Sequence, residues 1–245
     1  MPQDLRNGLL DRLMACFEPD TIKTLDTATY KGEHVLQVLH FTWYNRHCTM
    51  GHDTPVDVPP MTLKRTGRTK MNYHQLIPYP SKDMSNEVGN RSIYQSVKNI
   101  LGLLFNWLEV KVSIQLAAEI LLGTYMHLEA YARILPGNNQ AVSAPFLGLV
   151  INLNVVTAAH RDSKDDAVCL VLAIGCFTRG ELVLYEPGLV LPLMNGDFVV
   201  FLSCKLTHFN LHYIGQRASI VLHTDREMGK WLEDHNGWST NSNIT

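Results

Sequence analysis

The sequence lacks most of the features that would commit a chain to a membrane, to disorder or to an unselective hold on nucleic acid. Charge of one sign is missing: 21 Lys and Arg stand against 23 Asp and Glu, a net charge of −2. Any nucleic-acid contact must therefore come from a local patch and not from the field of the whole chain. No run of about 18 uncharged apolar residues occurs, so no membrane span is expected. The start, MPQDLRNGLL, has an acid before its only early base and no apolar centre, unlike a secretory signal. Cysteine is sparse: Cys16, Cys48, Cys169, Cys176 and Cys204 are odd in number, scattered and without a C-x-x-C pair. Reduced thiols in an intracellular protein are expected. Repeats are absent, and 46% hydrophobic with 18% charged residues excludes disorder, collagen and coiled coil. What remains is a globular chain of 245 residues, long enough to bury roughly 70–75% of its unfolded surface.

Two halves differ in pattern. In the first, Leu5, Leu9, Leu10, Leu13 and Phe17 have helical spacing. The run 35–44 (VLQVLHFTWY) favours a strand by its β-branched and aromatic content. From Asn45 to Asn90 no period persists and prolines punctuate the stretch. Ser96 is positioned to cap a helix with Val97, Ile100, Leu101, Leu104 and Leu108 on one face. Residues 114–135 form the longest helical pattern, stopped by Pro136-Gly137. Phe105, Trp107, Tyr125 and Tyr131 sit at helical spacing and read as core.

The second half reads as strands: 148–157, 167–174, 181–185, 189–193, 197–202, 206–213 and 217–224. Pro187-Gly188, Asn195-Gly196 and Gly215 mark turns, and Asn-Gly between apolar runs signals a hairpin. Short strands with tight turns predict a sandwich or jelly roll. The expected fold is α+β: a double-stranded β-helix (jelly-roll, cupin-like) core over 145–225 with an N-terminal helical layer over 1–140. The whole chain, 1–245, is expected to form one domain, with a frayed polar tail from Gly237.

His160-Arg161-Asp162 follows the first of these strands, and His208 lies at one end of the sixth. Two imidazoles and one carboxylate on one face of a metal leave three positions open, and the donor types suit iron(II) and dioxygen chemistry. H-x-D alone is common; the context raises its weight. Arg217 stands nine residues after His208, with Ser219 two further on, so the two share a strand face. A guanidinium fork with a hydroxyl receives a carboxylate through charge-assisted bonds. 2-Oxoglutarate fits, its keto-acid end on iron and its far carboxylate on Arg217. An edge-strand arginine and a structural serine is the plainer reading, outweighed by the order and spacing of the set. His212 lies beyond the site.

The stretch Leu149–Asp225, with NLNVVTAAHRDSKD, GELVLYE, NGDFVVF, THFNLH and RASIVLHTD, resembles the iron(II)/2-oxoglutarate dioxygenases. Within them it resembles the TET/JBP-like family of the fungal type. One departure is Arg179 before Gly180-Glu181, where many relatives carry a glycine pair. The resemblance implies oxidation of a methyl group on a base of DNA, 5-methylcytosine or N6-methyladenine. The base would be flipped into the pocket, with succinate and carbon dioxide as co-products. His160, Asp162 and His208 would be the catalytic iron ligands, and Arg217 and Ser219 would hold the co-substrate. Asp165, His223 and Asp225 stand at offsets similar to those of residues that read the flipped base; as acceptors the two acids suit an exocyclic amine. Asp165 serves equally as a solvated loop acid and Asp225 as a helix cap. A hydroxylase of a protein or small molecule, or a DNA-binding module without turnover, are the other readings.

Lys64, Arg65, Arg68 and Lys70 form the densest basic cluster; a DNA backbone contact, falling with salt, stands against a solvated loop. His47, Cys48 and His52 lack a second pair for four zinc ligands, so no zinc is expected. A monomer working in the nucleus completes the expectation.

Overall fold

Side-chain alternation along two long strands sets the architecture. In the computed structural model, which describes residues 3–18, 21–30, 37–52, 55–59, 76–85, 93–99, 102 and 122–244, β5 (Cys169–Arg179) and β10 (Tyr213–His223) run antiparallel from Tyr213↔Arg179 to Leu222↔Leu170. β10 also pairs with β4 (Gly148–Leu153), β4 with β2 (Gln37–Tyr44), and β2 with β3 (Tyr79–Pro80). β8 (Phe198–Phe201) lies outside β5, and the short β1 (Leu25–Asp26) pairs with β10. These make a seven-stranded sheet. A second, three-stranded sheet has the order β7 (Leu189–Leu191), β6 (Leu182–Leu184), β9 (His208–Asn210).

One face of the large sheet presents Leu149, Ile151, Leu170, Leu172, Ile220 and Leu222 to Leu9, Leu10 and Leu13 of the helix Gln3–Met14. The same face meets Leu128 and Tyr131 of the helix Leu122–Arg133. Period two sends the alternate side chains to the other face, where Cys169, Ala173, Phe177 and Tyr213 meet Leu182 and Leu184 of the small sheet. The result is the α+β jelly roll with its helical layer. Among the described residues no helix is long and apolar enough to cross a membrane.

Several local expectations change. Among the described residues the first half supplies three strands as well as helices, and β2 borders β4 in the middle of the large sheet. Asn195-Gly196 makes no hairpin: β7 pairs with β6 and β8 with β5. The turn carries the chain from one sheet to the other, and its polar groups go to β5, where Gly196 N–H donates to Ala173 O (2.8 Å) and Asn195 Oδ1 accepts from Gly175 N–H (3.2 Å). The hairpin turn is instead at Pro187-Gly188, where Gly188 has φ +67°. Gly215 lies within β10, where a Cβ would collide with the Cys176 carbonyl. Arg179 takes φ +64°, a region that favours glycine. Ser96 lies inside the helical turns of 93–99, not at their start. Of the three strand-region cysteines read as core, Cys176 is exposed. The tail is not frayed: Trp238 is 1% exposed, its Nε1–H donates to Thr49 O (2.8 Å), and Asn241 Nδ2 donates to Val58 O (2.9 Å). Phe105, Trp107 and the Lys64–Lys70 cluster lie outside the described residues.

Candidate metal centre

His160 and His208 face each other across two adjoining segments at the mouth of the roll. Each donates its backbone N–H to the other's carbonyl, at 3.1 and 2.9 Å. Their rings lie 4.3 Å apart between centroids. Asp162 N–H donates to Ser203 O (3.1 Å), which brings its carboxylate to 3.6 Å from His160 Nε2 and 3.5 Å from His208 Nε2. One donor atom from each of the three lies within 4.8 Å of the others. The tautomers follow from the partners. His160 Nδ1 faces Ala158 O (2.7 Å) and His208 Nδ1 faces Leu206 O (3.0 Å). A carbonyl only accepts, so each Nδ1 carries the proton and each Nε2 turns a lone pair toward the common point.

Burial opposes charge on both Asp162 and His208. When His208 is protonated at both nitrogens, its hydrogen bond to the carboxylate and the attraction between them outweigh it, so the Asp162 carboxyl lies below its ordinary value and the His208 imidazole above. Burial pushes the nearby Cys169 thiol up to about 12, which keeps it a neutral wall residue. Two neutral imidazoles and a carboxylate on one side of a point suit iron(II).

The donors open on a cavity of about 420 Å³, walled by the inward positions of the large sheet. Ser219 is in the wall, where its Oγ accepts from Asn152 Nδ2 (3.3 Å). Arg217, the next inward position of β10, is buried beyond the lining at 4% exposure. Its guanidinium carbon lies 5.2 and 5.6 Å from the ring centroids of Phe177 and Tyr213. Arg217 Nε and Tyr213 Oη have no hydrogen-bond partner among the described residues, and Arg217 makes no ion pair with them. Burial holds the Arg217 guanidinium below the ordinary arginine value, against the pull of Tyr213 and Glu181. A buried guanidinium beside an unpartnered phenol is chemically suited to a carboxylate. The donor set and these orphaned groups together fit iron(II) with a dicarboxylate such as 2-oxoglutarate.

The three residues assigned to base reading separate. Asp165 and His223 both line the cavity and hold each other, His223 Nδ1–H donating to Asp165 Oδ1 at 3.0 Å. Ser203 Oγ–H donates to the other Asp165 oxygen (3.2 Å), and His223 Nε2 meets Thr42 Oγ1 (3.2 Å). Asp165 is therefore no solvated loop acid. Asp225 is outside the lining and 0% exposed. Its oxygens pair with Arg46 Nε (3.1 Å) and accept from Asn45 N–H and Glu227 N–H. Asp225 thus clamps the end of β2 to the turn before the helix Met228–Asp234, whose N-cap is Glu227 with no side-chain cap bond, so it neither lines the cavity nor caps that helix; the strand face ends at His223, so period two no longer applies. His212 contacts Thr27 away from the cavity.

His40, Tyr44 and Arg46, which also line the cavity, were not foreseen. They alternate with Leu39, Phe41 and Trp43 of the helix-facing core. That signal is legible once 37–44 is taken as a strand, but its inward face is defined only by β4.

The two facing antiparallel sheets make a double-stranded β-helix, a fold shared with a solved structure. A solved structure of NgTET1 in complex with 5mC DNA matches with a TM-score of 0.58 at 13% identity, covering 93% of this chain and 70% of that one. A Pseudomonas putida prolyl-4-hydroxylase aligns with a TM-score of 0.40 at 13% identity over 92% of this chain and 89% of its own. A Trichoplax adhaerens prolyl hydroxylase with a hypoxia inducible factor peptide gives 0.38 at 9% identity over 93% and 81%. No protein-family model and no curated protein matches the chain.

Proposed function

We propose that the protein is an iron(II)/2-oxoglutarate dioxygenase that oxidises the methyl group of a methylated base in DNA. The observation that carries the oxygenase reading is the convergence of His160, Asp162 and His208 on one cavity, with Arg217, whose Nε has no hydrogen-bond partner among the described residues, just beyond its wall. Iron(II), 2-oxoglutarate and dioxygen would supply the oxidation of methyl to hydroxymethyl, with release of succinate and carbon dioxide. This chain's part is to bind and orient. His160, Asp162 and His208 would hold the metal, Arg217 and Ser219 would take the far carboxylate, and the apolar wall (Val150, Val171, Val221) would limit water.

DNA as the substrate draws support from the shared fold with a DNA-bound protein and from the cavity. At about 420 Å³ it falls within the usual range of small-ligand pockets, about 300–1,000 Å³. A flipped base is a ligand of that kind. The Asp165–His223 pair offers a fixed polar edge to it, since each Asp165 oxygen keeps a second acceptor position. The Lys64–Lys70 cluster would meet the phosphate backbone, and the site of action would be the nucleus. 5-Methylcytosine and N6-methyladenine both present the amine that these acceptors suit.

The test is mass spectrometry of nucleosides after incubation of either methylated duplex with protein, iron(II), ascorbate and 2-oxoglutarate, with Asp162→Ala as control. Oxidised methylcytosine or restored adenine, absent in the control, is the expected result. Succinate without base oxidation would move the substrate to a protein or small molecule. DNA binding without succinate would make the chain a binding module.

A further inference from the structure

We propose that Glu186 is a positioning residue for the metal site: its carboxylate fastens the segment bearing His160 and Asp162 to the strand bearing His208. The inference rests on the oxygenase reading only in taking these three side chains as ligands of one metal.

The His160–Asp162 segment belongs to no strand of either sheet. An isolated bridge joins it to β9 through the single reciprocal pair His160↔His208, with Asp162 N–H to Ser203 O beside it. The bridge pairing His160 with His208 sets Arg161 opposite Thr207, at the rim of the cavity that Arg161 also lines. There Arg161 Nε–H donates to Thr207 Oγ1 (2.9 Å). Glu186 reaches this pair from the end of β6, whose next residue back donates Tyr185 N–H to Thr207 O (2.9 Å). Oε1 takes Arg161 Nη2–H and Thr207 Oγ1–H, each at 2.6 Å, and Oε2 takes Thr207 N–H at 2.7 Å. A lone surface ion pair contributes little. This carboxylate instead binds the residue between two ligands and the residue preceding the third, so its loss loosens the relation between donors and not the fold.

The experiment titrates the metal-free full chain with Mn(II) by calorimetry and with Co(II) by its visible spectrum. Wild type is compared with Glu186→Ala, Glu186→Gln and the near-isosteric Thr207→Val. The expected result is a Kd for Mn(II) raised about 10- to 100-fold in Glu186→Ala, a changed Co(II) spectrum, and an unchanged melting temperature of the metal-free protein. Glu186→Gln, which keeps the acceptor for Thr207 N–H, should recover part of the affinity, and Thr207→Val should fall between. Wild-type affinity and spectrum in Glu186→Ala would overturn the inference alone. A wild-type protein that binds neither metal would overturn it together with the oxygenase reading. A fall in melting temperature that accounts for the whole loss in affinity would reduce Glu186 to a structural residue.

Discussion

Replacing Arg217 by Met separates two effects that point in opposite directions. Without a bound anion, the guanidinium is a buried charge with no ion pair among the described residues and an Nε lacking a hydrogen-bond partner. Exchanging a buried ionic group for an apolar one of similar volume is neutral or stabilising by about 1–4 kcal/mol. Against this stand the contacts with the Phe177 and Tyr213 rings at 5.2 and 5.6 Å, together about 1–2 kcal/mol. The net change lies between about −2 and +3 kcal/mol, so the melting temperature of Arg217→Met should fall by at most about 8 °C or rise by up to about 12 °C, at about 2–4 °C per kcal/mol for a domain of this size. Co-substrate binding should collapse. Two charge-assisted bonds at about 1.5–3 kcal/mol each amount to about 3–6 kcal/mol, a Kd for 2-oxoglutarate raised by roughly 10²–10⁴. Calorimetric titration of Mn(II)-loaded protein without oxygen, beside a thermal melt of the metal-free form, reads both quantities. A variant that binds 2-oxoglutarate as wild type does, or melts more than about 8 °C lower, would refute the reasoning.

Other expectations concern the metal-free site, the tail and the cavity floor. The raised His208 value contributes stability that is complete below the ordinary imidazole value and lost as pH rises through its folded value; the lowered Asp162 value contributes stability present above the ordinary carboxylate value and lost as pH falls through its own. Both hold between about pH 4 and 6.5. In the chelated protein the melting gap between wild type and Asp162→Asn should be widest there and shrink by pH 8, whereas metal affinity should rise with pH as imidazole sheds its proton; a gap independent of pH would contradict the pairing. Trp238→Ala should cost about 3–5 kcal/mol in urea unfolding, and a loss below about 1 kcal/mol would mean that the tail is not docked. Gly148→Ala puts a Cβ against His223 Nε2 and Thr42, at a cost of about 1–3 kcal/mol. It should also raise KM for the base substrate; an unchanged melt would show that His223 is free to move.

The chemistry-bearing residues were readable in one dimension because covalent geometry carries the information. Side chains alternate along any strand, so Arg217, Ser219 and His223 share a face wherever β10 goes; His160 and Asp162 lie outside the strands, and the bridge to His208 brings them to the cavity. The helix-facing runs of β4, β5 and β10 are legible for the same reason. Asn195-Gly196 shows the limit: the dipeptide specifies a turn, but whether the flanking strands pair depends on which sheet each joins, and β5 claims β8. The same limit applies to Asp225, which the period of its strand assigned to the cavity.

Tertiary structure decided what meets across distance in the chain. Asn45 and Asp225 lie 180 residues apart, and no local pattern pairs them or swings Arg46 to the cavity wall. β2 enters the large sheet beside β4, which makes His40 and Tyr44 wall residues. Trp238 looks like part of a polar tail until Thr49 supplies the acceptor for its indole N–H. Glu186, an acid in a turn between two apolar strands, acquires its partners only because β6 lies against β9. Strand periodicity determines which side of the backbone a residue takes; the closing of one sheet over the other determines what that side encloses.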